Sequence, residues 1–492
     1  MSTRSFLAVA LAMVPLAALA IPEGPAYPSP EWAQREQANY ARTGEGPAEL
    51  LANPDFLLRW QEQGVANQLE WLQRGVDDSS WFLPTSGNTQ LTPLCASWGM
   101  QCVGDPFRYP GVDPFYDTVG EVTPFVIYDE GCARISGRVW KPRNPPAGLL
   151  PGVVIENGSI QAPETLYWWM AQALVRAGYV VLTFDPRGQG RSDQQTPSGE
   201  QGSNANSAVF WLGLVNVIDF FRSGPVVPYP HNIACAGTYP TEVTAFNPYY
   251  ASIDPERLGI AGHSLGATGV STVQGYGATG ADPWPGLLDQ ANPVDVAVAW
   301  DSLNASAVPR VPAMGQSSEY GIGGAPFREP PDPEAKKLAY GKWVAAGVPV
   351  YQITIQGSTH FEWSLLPTFP ATSWCPQMVD GTCSGGWGNP MAEHYSLAWL
   401  DRWLKKPGEP GYDDADARLL ADADWQERYS FYLRSARSFP TRGGVQQVCD
   451  DIRAGCAAAA APASATSAFG GGALPPLLLA GLLAVALRRR SR

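Results

Sequence analysis

Short apolar segments alternate with helical segments through the middle of this chain, from about residue 120 to residue 404. Glycines and prolines separate the segments, and several of the strand-like segments are apolar at every position. Strands that are apolar on both faces are typical of a parallel sheet covered by helices on both sides. The alternation therefore predicts an α/β fold with a mostly parallel sheet and right-handed crossovers. The predicted strands are 122–127, 133–140, 152–156, 179–184, 257–261, 294–300 and 348–355, and the predicted helices are 163–177, 209–221, one from Ser264, 332–346 and 391–404.

The segments outside this alternation predict how the chain is divided. The chain has 51 glycines and 46 prolines, which indicates many loops. The predicted boundaries are 1–20 for a signal peptide, 21–118 for a helical and loop-rich extension, 119–408 for the main domain with insertions at 224–252 and 365–389, 409–456 for a C-terminal extension, 457–469 for a linker and 470–492 for a tail.

The N-terminus has the pattern of a secretory signal peptide. Arg4 supplies the positive charge, residues 6–19 are almost entirely apolar, and residues 18–20 read Ala-Leu-Ala before Ile21. A small-x-small triplet after an apolar run is typical of a cleavage site. We therefore expect the protein to be exported.

The C-terminal tail also has the pattern of a targeting signal. An Ala/Ser/Pro/Thr-rich linker at 457–469 precedes three glycines, an apolar run at 473–487 and three arginines at 488–490. This tail resembles bacterial sorting tails that combine a Gly-rich motif, a short apolar helix and an Arg cluster. The resemblance implies cleavage near the glycines and a final location in the periplasm, at the cell surface or outside the cell. A plain membrane anchor is the alternative, and in both cases the tail enters the membrane, transiently or stably.

The charge balance bears on the kind of partner. Lys and Arg number 33 and Asp and Glu number 46, which gives a net charge of −13. Binding to nucleic acid depends on a basic surface that neutralises phosphates. The acidic composition therefore argues against a nucleic acid partner.

The cysteines agree with export. Their number is eight, and neither a C-x-x-C pair nor an H-E-x-x-H motif occurs, so we expect no metal site. An oxidising compartment explains an even number of cysteines in an exported chain. The most economical pairing is Cys95–Cys102, Cys132–Cys235, Cys375–Cys383 and Cys449–Cys456. Cys456 could instead belong to the tail, which would leave Cys449 unpaired.

The sequence Gly-His-Ser-Leu-Gly at 262–266 is the motif with the clearest chemical content. A strand-like segment at 258–261 precedes it, and residues 267–271 can begin a helix. A serine on such a tight strand-to-helix turn is exposed for nucleophilic attack, and small neighbours make the turn possible. The N-terminus of the helix would favour negative charge that develops beside the serine.

This arrangement resembles the α/β-hydrolase superfamily over residues 119–408. Residues 153–159 (Val-Val-Ile-Glu-Asn-Gly-Ser) are similar to that family's strand and His-Gly-x oxyanion loop, with Asn157 in place of the usual histidine. Residues 185–192 are similar to its D-x-R-G-x-G-x-S turn, which we interpret as structural. The resemblance implies an oxyanion hole formed by the backbone N–H groups of Ser159, with Ile160 as the alternative, and of Leu265.

The resemblance also implies a catalytic triad in the chain order Ser, acid, His. His360 follows the strand at 348–355, in the family's place for the general base, and Ser264 is the nucleophile. The other histidines fit this order or place less well: His231 precedes Ser264, His263 lies inside the serine motif, and His394 lies on a predicted helix.

Two carboxylates are candidates for the acid. In many relatives a strand ends in glycine and an acid follows within a few residues. Glu319 has this spacing after the segment 308–314 and Gly315, so we prefer it. Asp301, which ends the strand at 294–300, is the alternative.

Together these residues predict a serine-dependent carboxylic ester hydrolase, similar to a carboxylesterase or a lipase, that needs no cofactor. Aromatic residues in the inserted loops favour an ester with an apolar or aromatic acyl group. One alternative is a peptidase on the same fold, which would need a way to recognise peptide termini. Another is a catalytically silent module that binds at a surface, although such modules usually lack the serine or the histidine.

Overall fold

The computed structural model describes residues 24–83, 95, 98–159, 162–203, 206–322, 324–364 and 387–456. Several predictions fall outside the described residues: the signal peptide at 1–20, the linker at 457–469, the tail at 470–492, Ile160, most of the insertion at 365–389, and the pair Cys375–Cys383.

A ten-stranded mixed sheet runs through the described chain in the order β1-β2-β4-β3-β5-β6-β7-β8-β9-β10. Adjacent strands from β4 to β8 in this order are parallel. At one edge β2 pairs antiparallel with both β1 and β4, and at the other edge β9 pairs antiparallel with both β8 and β10. The predicted α/β class with a mostly parallel sheet is therefore confirmed. The strands are β1 Gly120–Tyr128, β2 Arg134–Pro142, β3 Leu150–Glu156, β4 Val180–Asp185, β5 Ile253–His263, β6 Val296–Trp300, β7 Ala313–Ser318, β8 Val350–Ile355, β9 Ala436–Pro440 and β10 Gln446–Cys449.

Helices cover both faces of this sheet. The α-helices are α1 Pro30–Ala41, α2 Glu45–Ala52, α3 Pro54–Asp77, α4 Phe115–Thr118, α5 Trp168–Arg176, α6 Val209–Arg222, α7 Pro230–Ala234, α8 Leu265–Val273, α9 Leu338–Ala345, α10 Asn389–Leu404 and α11 Ala415–Leu419. Val153 and Ile155 of β3 pack into the core with α5 and α10, whereas Val154 packs with α6, α8 and α9. Successive residues of a strand point to opposite faces, which explains why β3 is apolar up to Ile155.

Within the described residues, no helix has both the length and the apolar character that a membrane-spanning segment requires.

The strand order reverses at β3, and this reversal creates a crevice. After β3 the chain adds β4 on one side and later adds β5 on the other. The loops that follow β3 and β5 therefore diverge from each other at the carboxyl ends of these strands. Ligands bind at such a position in open α/β sheets. Ser264 directly follows β5 at this edge.

The first helix of the N-terminal extension is hydrogen-bonded to the rest of the protein. The Ser29 hydroxyl caps α1 by accepting from the Trp32 N–H at 3.1 Å, and Pro30 begins the helix. Glu36 on α1 is buried and accepts hydrogen bonds from the Phe327 N–H at 2.6 Å and the Tyr432 hydroxyl. The α1 helix thus joins the region after β7 to the C-terminal extension.

The C-terminal extension completes the sheet. Strand β9 pairs antiparallel with β8, with Ser438 opposite Val350, and β10 pairs with β9. The sequence analysis did not predict these strands, because residues 436–440 read Ala-Arg-Ser-Phe-Pro and lack an apolar run.

Three of the predicted disulfides lie among the described residues, and all three are formed: Cys95–Cys102, Cys132–Cys235 and Cys449–Cys456. The pairing of Cys449 with Cys456 resolves the alternative in which Cys456 belonged to the tail. Disulfides persist in oxidising compartments, so the three pairs fit an exported protein.

Removal of the Cys132–Cys235 disulfide is expected to lower the free energy of unfolding by about 4–5 kcal/mol. The bridge joins residues 103 positions apart, so it removes much of the entropy of the unfolded chain. Urea unfolding of the Cys132→Ser/Cys235→Ser variant measures the loss. The matched control, Cys449→Ser/Cys456→Ser, opens a separation of only 7 residues and should lose about 2–3 kcal/mol. Equal losses in the two variants would contradict the loop-length argument.

Candidate active site

The serine motif forms a tight turn between β5 and α8. Ser264 has φ 59° and ψ −118°, a strained backbone that projects its side chain away from the sheet. A Cβ at Gly262 would lie 2.6 Å from the Gly266 carbonyl oxygen, and a Cβ at Gly266 would lie 2.4 Å from the Asn157 oxygen. Both glycines of the motif are therefore required by close backbone approach.

A chain of hydrogen bonds connects Ser264 to a histidine and an aspartate. The His360 Nε2 atom lies 2.9 Å from the Ser264 Oγ, and the His360 Nδ1 atom is hydrogen-bonded to the Asp301 Oδ2. A carboxylate only accepts, so Nδ1 carries the hydrogen and Nε2 can accept the serine proton. Because β5, β6 and β8 are parallel, their carboxyl ends bring these residues to the same edge of the sheet.

Asp301 is held in place by the end of the neighbouring strand. It follows β6 with φ 67°, and its Oδ1 accepts hydrogen bonds from the Ser318 N–H at 3.1 Å and the Ser318 hydroxyl at 2.8 Å. Burial alone would raise the pKa of the Asp301 carboxyl. The hydrogen bond and the charge interaction with His360 outweigh burial and hold that pKa well below its usual range. Asp301 is therefore ionised at neutral pH.

Glu319, the preferred acid of the sequence analysis, has other partners. Its Oε2 accepts from the Asn39 side-chain amide and the Gly357 N–H, both at 2.7 Å, and its Oε1 accepts from the Ser430 hydroxyl. The structure corrects the predicted pairing: Asp301, the alternative, contacts His360, and Glu319 does not. Glu319 instead ties α1 and the C-terminal extension to the loop that carries His360.

The physical reason for this correction is the length of β7. The prediction ended the strand at residue 314 and placed Glu319 several residues into a loop. In the structure β7 continues to Ser318, so Glu319 is the first residue beyond it and faces α1. The β6 strand ends at Trp300, so Asp301 is the carboxylate beside the histidine loop.

The residues predicted to form an oxyanion hole lie on segments next to Ser264. Ser159 follows Gly158, where an added Cβ would lie 3.3 Å from the Ser264 Cβ, so this loop passes close to the serine. The Gly158 N–H donates to the Tyr167 hydroxyl at 2.8 Å. Leu265 is the first residue of α8 and directly follows the serine. The backbone N–H groups of Ser159 and Leu265 therefore lie on segments that flank Ser264.

A second hydrogen-bond chain, which the sequence analysis missed, supports these segments. The His263 Nε2 lies 2.8 Å from the His360 carbonyl oxygen, and the His263 Nδ1 lies 2.9 Å from the Tyr167 hydroxyl. The carbonyl only accepts, so His263 donates from Nε2 and accepts at Nδ1. Tyr167 then donates to His263 and accepts from Gly158, which links the oxyanion loop to the histidine loop.

His263 must stay neutral to make this chain. Burial, together with the neighbouring His360, lowers the pKa of His263 to about 3 against the opposing charge of Asp301. The histidine next to the serine was visible in the sequence, but nothing there marked Tyr167 as its partner. The pairing joins residues 96 positions apart and depends on the tertiary fold.

The remaining motif residues have structural contacts. Asp185 accepts hydrogen bonds from the Asn157 side-chain amide at 3.1 Å and the Arg191 N–H at 2.9 Å, and Arg187 pairs with Asp129 at 2.7 Å. The His394 Nε2 atom lies 3.0 Å from the Arg418 carbonyl oxygen. Across the described ranges, no group of three His, Cys, Asp or Glu side chains is placed to hold a metal ion.

Glu156, at the end of β3, is a fully buried carboxyl group next to the site. Neither of its oxygens has a hydrogen-bond partner among the described residues, and its Cγ lies 2.7 Å from where a Cβ on Gly266 would be. Burial raises the pKa of Glu156 well above its usual range. Burial therefore favours the protonated form of this side chain in the folded protein.

This burial predicts a pH dependence of stability. Unfolded Glu156 ionises above about pH 4.3, whereas folded Glu156 keeps its proton, so the unfolded state binds fewer protons. The free energy of unfolding should fall as pH rises above that value, by at most about 1.4 kcal/mol per pH unit. Urea unfolding between pH 5 and pH 8 should show this slope reduced in Glu156→Gln and retained in Glu329→Gln, an exposed control. Parallel profiles for wild type and Glu156→Gln would contradict the argument.

Comparison with known proteins adds no relative to this picture. No family model matches the chain, and no curated protein matches it. The function has to be inferred from the geometry of Ser264, His360, Asp301 and the loops around them.

Proposed function

We propose that this protein is a serine hydrolase with the α/β-hydrolase fold, and that it cleaves carboxylic esters through an acyl-enzyme intermediate. The observation that carries the proposal is the continuous chain from the Ser264 Oγ through both nitrogens of His360 to Asp301. A serine is a weak nucleophile until a base in hydrogen-bond contact removes its proton. The strained turn at Ser264 and its place at the carboxyl edge of the sheet add support.

In the proposed first step, His360 takes the proton of Ser264 while the Oγ attacks the ester carbonyl carbon. The tetrahedral intermediate collapses as the bond to the alcohol oxygen breaks, and His360 returns the proton to the departing alcohol. Asp301 holds the His360 tautomer and stabilises the imidazolium. Water, activated by His360, then releases the carboxylic acid and restores Ser264.

The negative charge of each tetrahedral intermediate needs hydrogen-bond donors. The backbone N–H groups of Ser159 and Leu265 are the proposed donors, because they flank the serine and cost no reorganisation. The Tyr167–His263 chain positions Gly158 and His360 relative to each other. We assign positioning roles to Tyr167 and His263.

The aromatic residues near the triad bear on the acyl group. Trp169 and Trp363 are buried in the core, and the Trp169 indole donates to the Trp363 carbonyl at 3.0 Å. Phe361 is half-buried and its ring lies 5.5 Å from the His360 ring. Phe361 therefore places an aromatic ring beside His360, which supports an apolar or aromatic acyl group.

We further propose that the protein works outside the cytoplasm, in the periplasm, at the cell surface or in the medium. The disulfides among the described residues support an oxidising compartment. The sequence pattern of the tail at 470–492 supports processing at a membrane.

The test is a series of p-nitrophenyl esters from acetate to palmitate, together with labelling by a fluorophosphonate probe. We expect turnover with an optimum chain length and labelling that maps to Ser264. Labelling without ester turnover would replace the ester proposal by peptidase activity, tested next with peptide amides. Absence of both turnover and labelling would overturn the enzyme proposal in favour of a binding module.

A further inference from the structure

A polar cavity of about 270 Å³ lies between α3 and the edge of the sheet formed by β1 and β2. Three arginines contribute to its lining: Arg74 from α3, Arg138 from β2, and Arg191 from the loop after β4. None of the proposed catalytic side chains lines it. The cavity is therefore distinct from the candidate active site.

Arg191 is the residue that makes this cavity unusual. It is only 3% exposed, and none of its three guanidinium nitrogens has a hydrogen-bond partner within the described part of the chain. Its only close aromatic neighbour among these residues is Trp98, 5.1 Å away. Leaving a buried charged donor without an acceptor is costly, so the guanidinium group is expected to bind an acceptor from outside the described residues.

Two of the carboxylates in the cavity wall, Asp185 and Glu164, already have other donors. Asp185 accepts from the backbone N–H groups of Glu164 at 2.8 Å and Arg191 at 2.9 Å. Glu164 pairs with Arg138 and accepts from the Trp168 indole at 2.8 Å. Neither of these two carboxylates forms an ion pair with the Arg191 guanidinium, and Arg191 itself lines the cavity.

The neighbouring arginines add positive charge. Arg74 stacks on Trp81 and Trp98, with its guanidinium 4.6 and 4.4 Å from the two rings, and donates to the Ser136 hydroxyl at 3.2 Å. Burial lowers the pKa of Arg74 to about 10, opposed by Glu70 and reinforced by the charges of Arg191 and other arginines. An anion in the cavity would relieve this mutual repulsion.

We propose that this cavity binds a small monocarboxylate, whose two oxygens accept hydrogen bonds from the guanidinium group of Arg191. The planar fork of an arginine matches the geometry of a carboxylate. Pro124, Phe125 and Val126 supply an apolar wall for the body of the ligand. The lining also includes two exposed carboxylates, Glu70 and Glu242, which disfavour anions with several charges. The proposal does not depend on the hydrolase activity.

The test is calorimetric titration of the full chain with sodium acetate, against sodium chloride at equal ionic strength. We expect saturable binding with a Kd of about 1 mM or tighter, weakened at least tenfold in Arg191→Met and in Arg191→Lys. The matched control is Arg328→Met, which removes an exposed arginine and should bind like wild type. Acetate could also bind at the triad as a product, so the protein is first blocked with a fluorophosphonate.

A second measurement does not depend on the stability of any variant. Crystals of the wild-type protein soaked in bromoacetate should show an anomalous bromine peak in this cavity. Absence of the peak, or acetate affinity unchanged in Arg191→Met, would overturn the proposal. Binding of phosphate or sulfate in place of acetate would overturn the monocarboxylate assignment and identify a site for tetrahedral anions.

Discussion

Replacing Ser264 by alanine is expected to lower kcat for ester hydrolysis by about 10⁶-fold, if the proposed mechanism holds. The covalent step needs the Oγ that lies 2.9 Å from the His360 Nε2, and alanine leaves no nucleophile. The residues that surround the acyl group stay in place, so KM should change little. The remaining rate would come from the oxyanion donors and from substrate binding alone.

The measurement is the hydrolysis of p-nitrophenyl butyrate, with labelling by a fluorophosphonate in parallel. The matched control is Ser159→Ala in the oxyanion loop. The proposed donor there is the backbone N–H, so loss of the hydroxyl should leave kcat nearly unchanged. Full activity in Ser264→Ala would show that the hydrolysis comes from another residue or from a contaminant.

The position of Ser264 could be predicted because its determinants are local. Its turn needs two glycines within five residues, and their close contacts with the backbone leave no room for a side chain. The apolar runs of β3 and β4 are equally local, since a strand buried on both faces is usually apolar at most of its positions. The α/β class follows from such runs without knowledge of the tertiary contacts.

The choice between Glu319 and Asp301 could not be made in the same way. It depends on where β7 ends relative to β6, and the polar residues Gln316 to Ser318 concealed a fully buried strand. Those residues are buried because their side chains bond to neighbours, as when the Gln316 amide donates to the Ser396 hydroxyl at 3.0 Å. A hydrophobic pattern cannot reveal a strand stabilised by polar contacts of this kind.

Strand β9 and the Tyr167–His263 pair were missed for a related reason. Both depend on partners far away in the sequence. Strand β9 is defined by its pairing with β8. The contact between Tyr167 and His263 depends on the pairing of β3 with β5. The contacts that the sheet topology creates at this site could therefore not be predicted from the sequence.

The carboxylate assignment predicts opposite outcomes for two isosteric substitutions. Asp301→Asn is expected to lower kcat by about 10⁴-fold, because asparagine can donate to His360 Nδ1 and so stabilise the wrong tautomer. The serine would then face an Nε2 that carries a hydrogen and cannot accept its proton. Substrate binding and folding should be little changed, so the loss appears in kcat.

Glu319→Gln should instead act on stability. The amide nitrogen of glutamine cannot accept the hydrogen bonds that the carboxylate receives from Asn39, Gly357 and Ser430. We expect the free energy of unfolding to fall by about 1–3 kcal/mol, with kcat within about tenfold of wild type. Steady-state kinetics and urea unfolding of both variants provide the comparison.

These two variants separate the alternatives that the sequence left open. If Glu319→Gln lost most of its kcat and Asp301→Asn did not, Glu319 would be the acid and the contact between His360 and Asp301 would be incidental. If neither variant lost activity, His360 would work without a carboxylate partner, and the triad would reduce to a dyad. We expect a large kcat effect confined to Asp301→Asn, because Asp301 is the carboxylate that bonds to His360 Nδ1 in the described part of the chain and would hold the tautomer that activates Ser264.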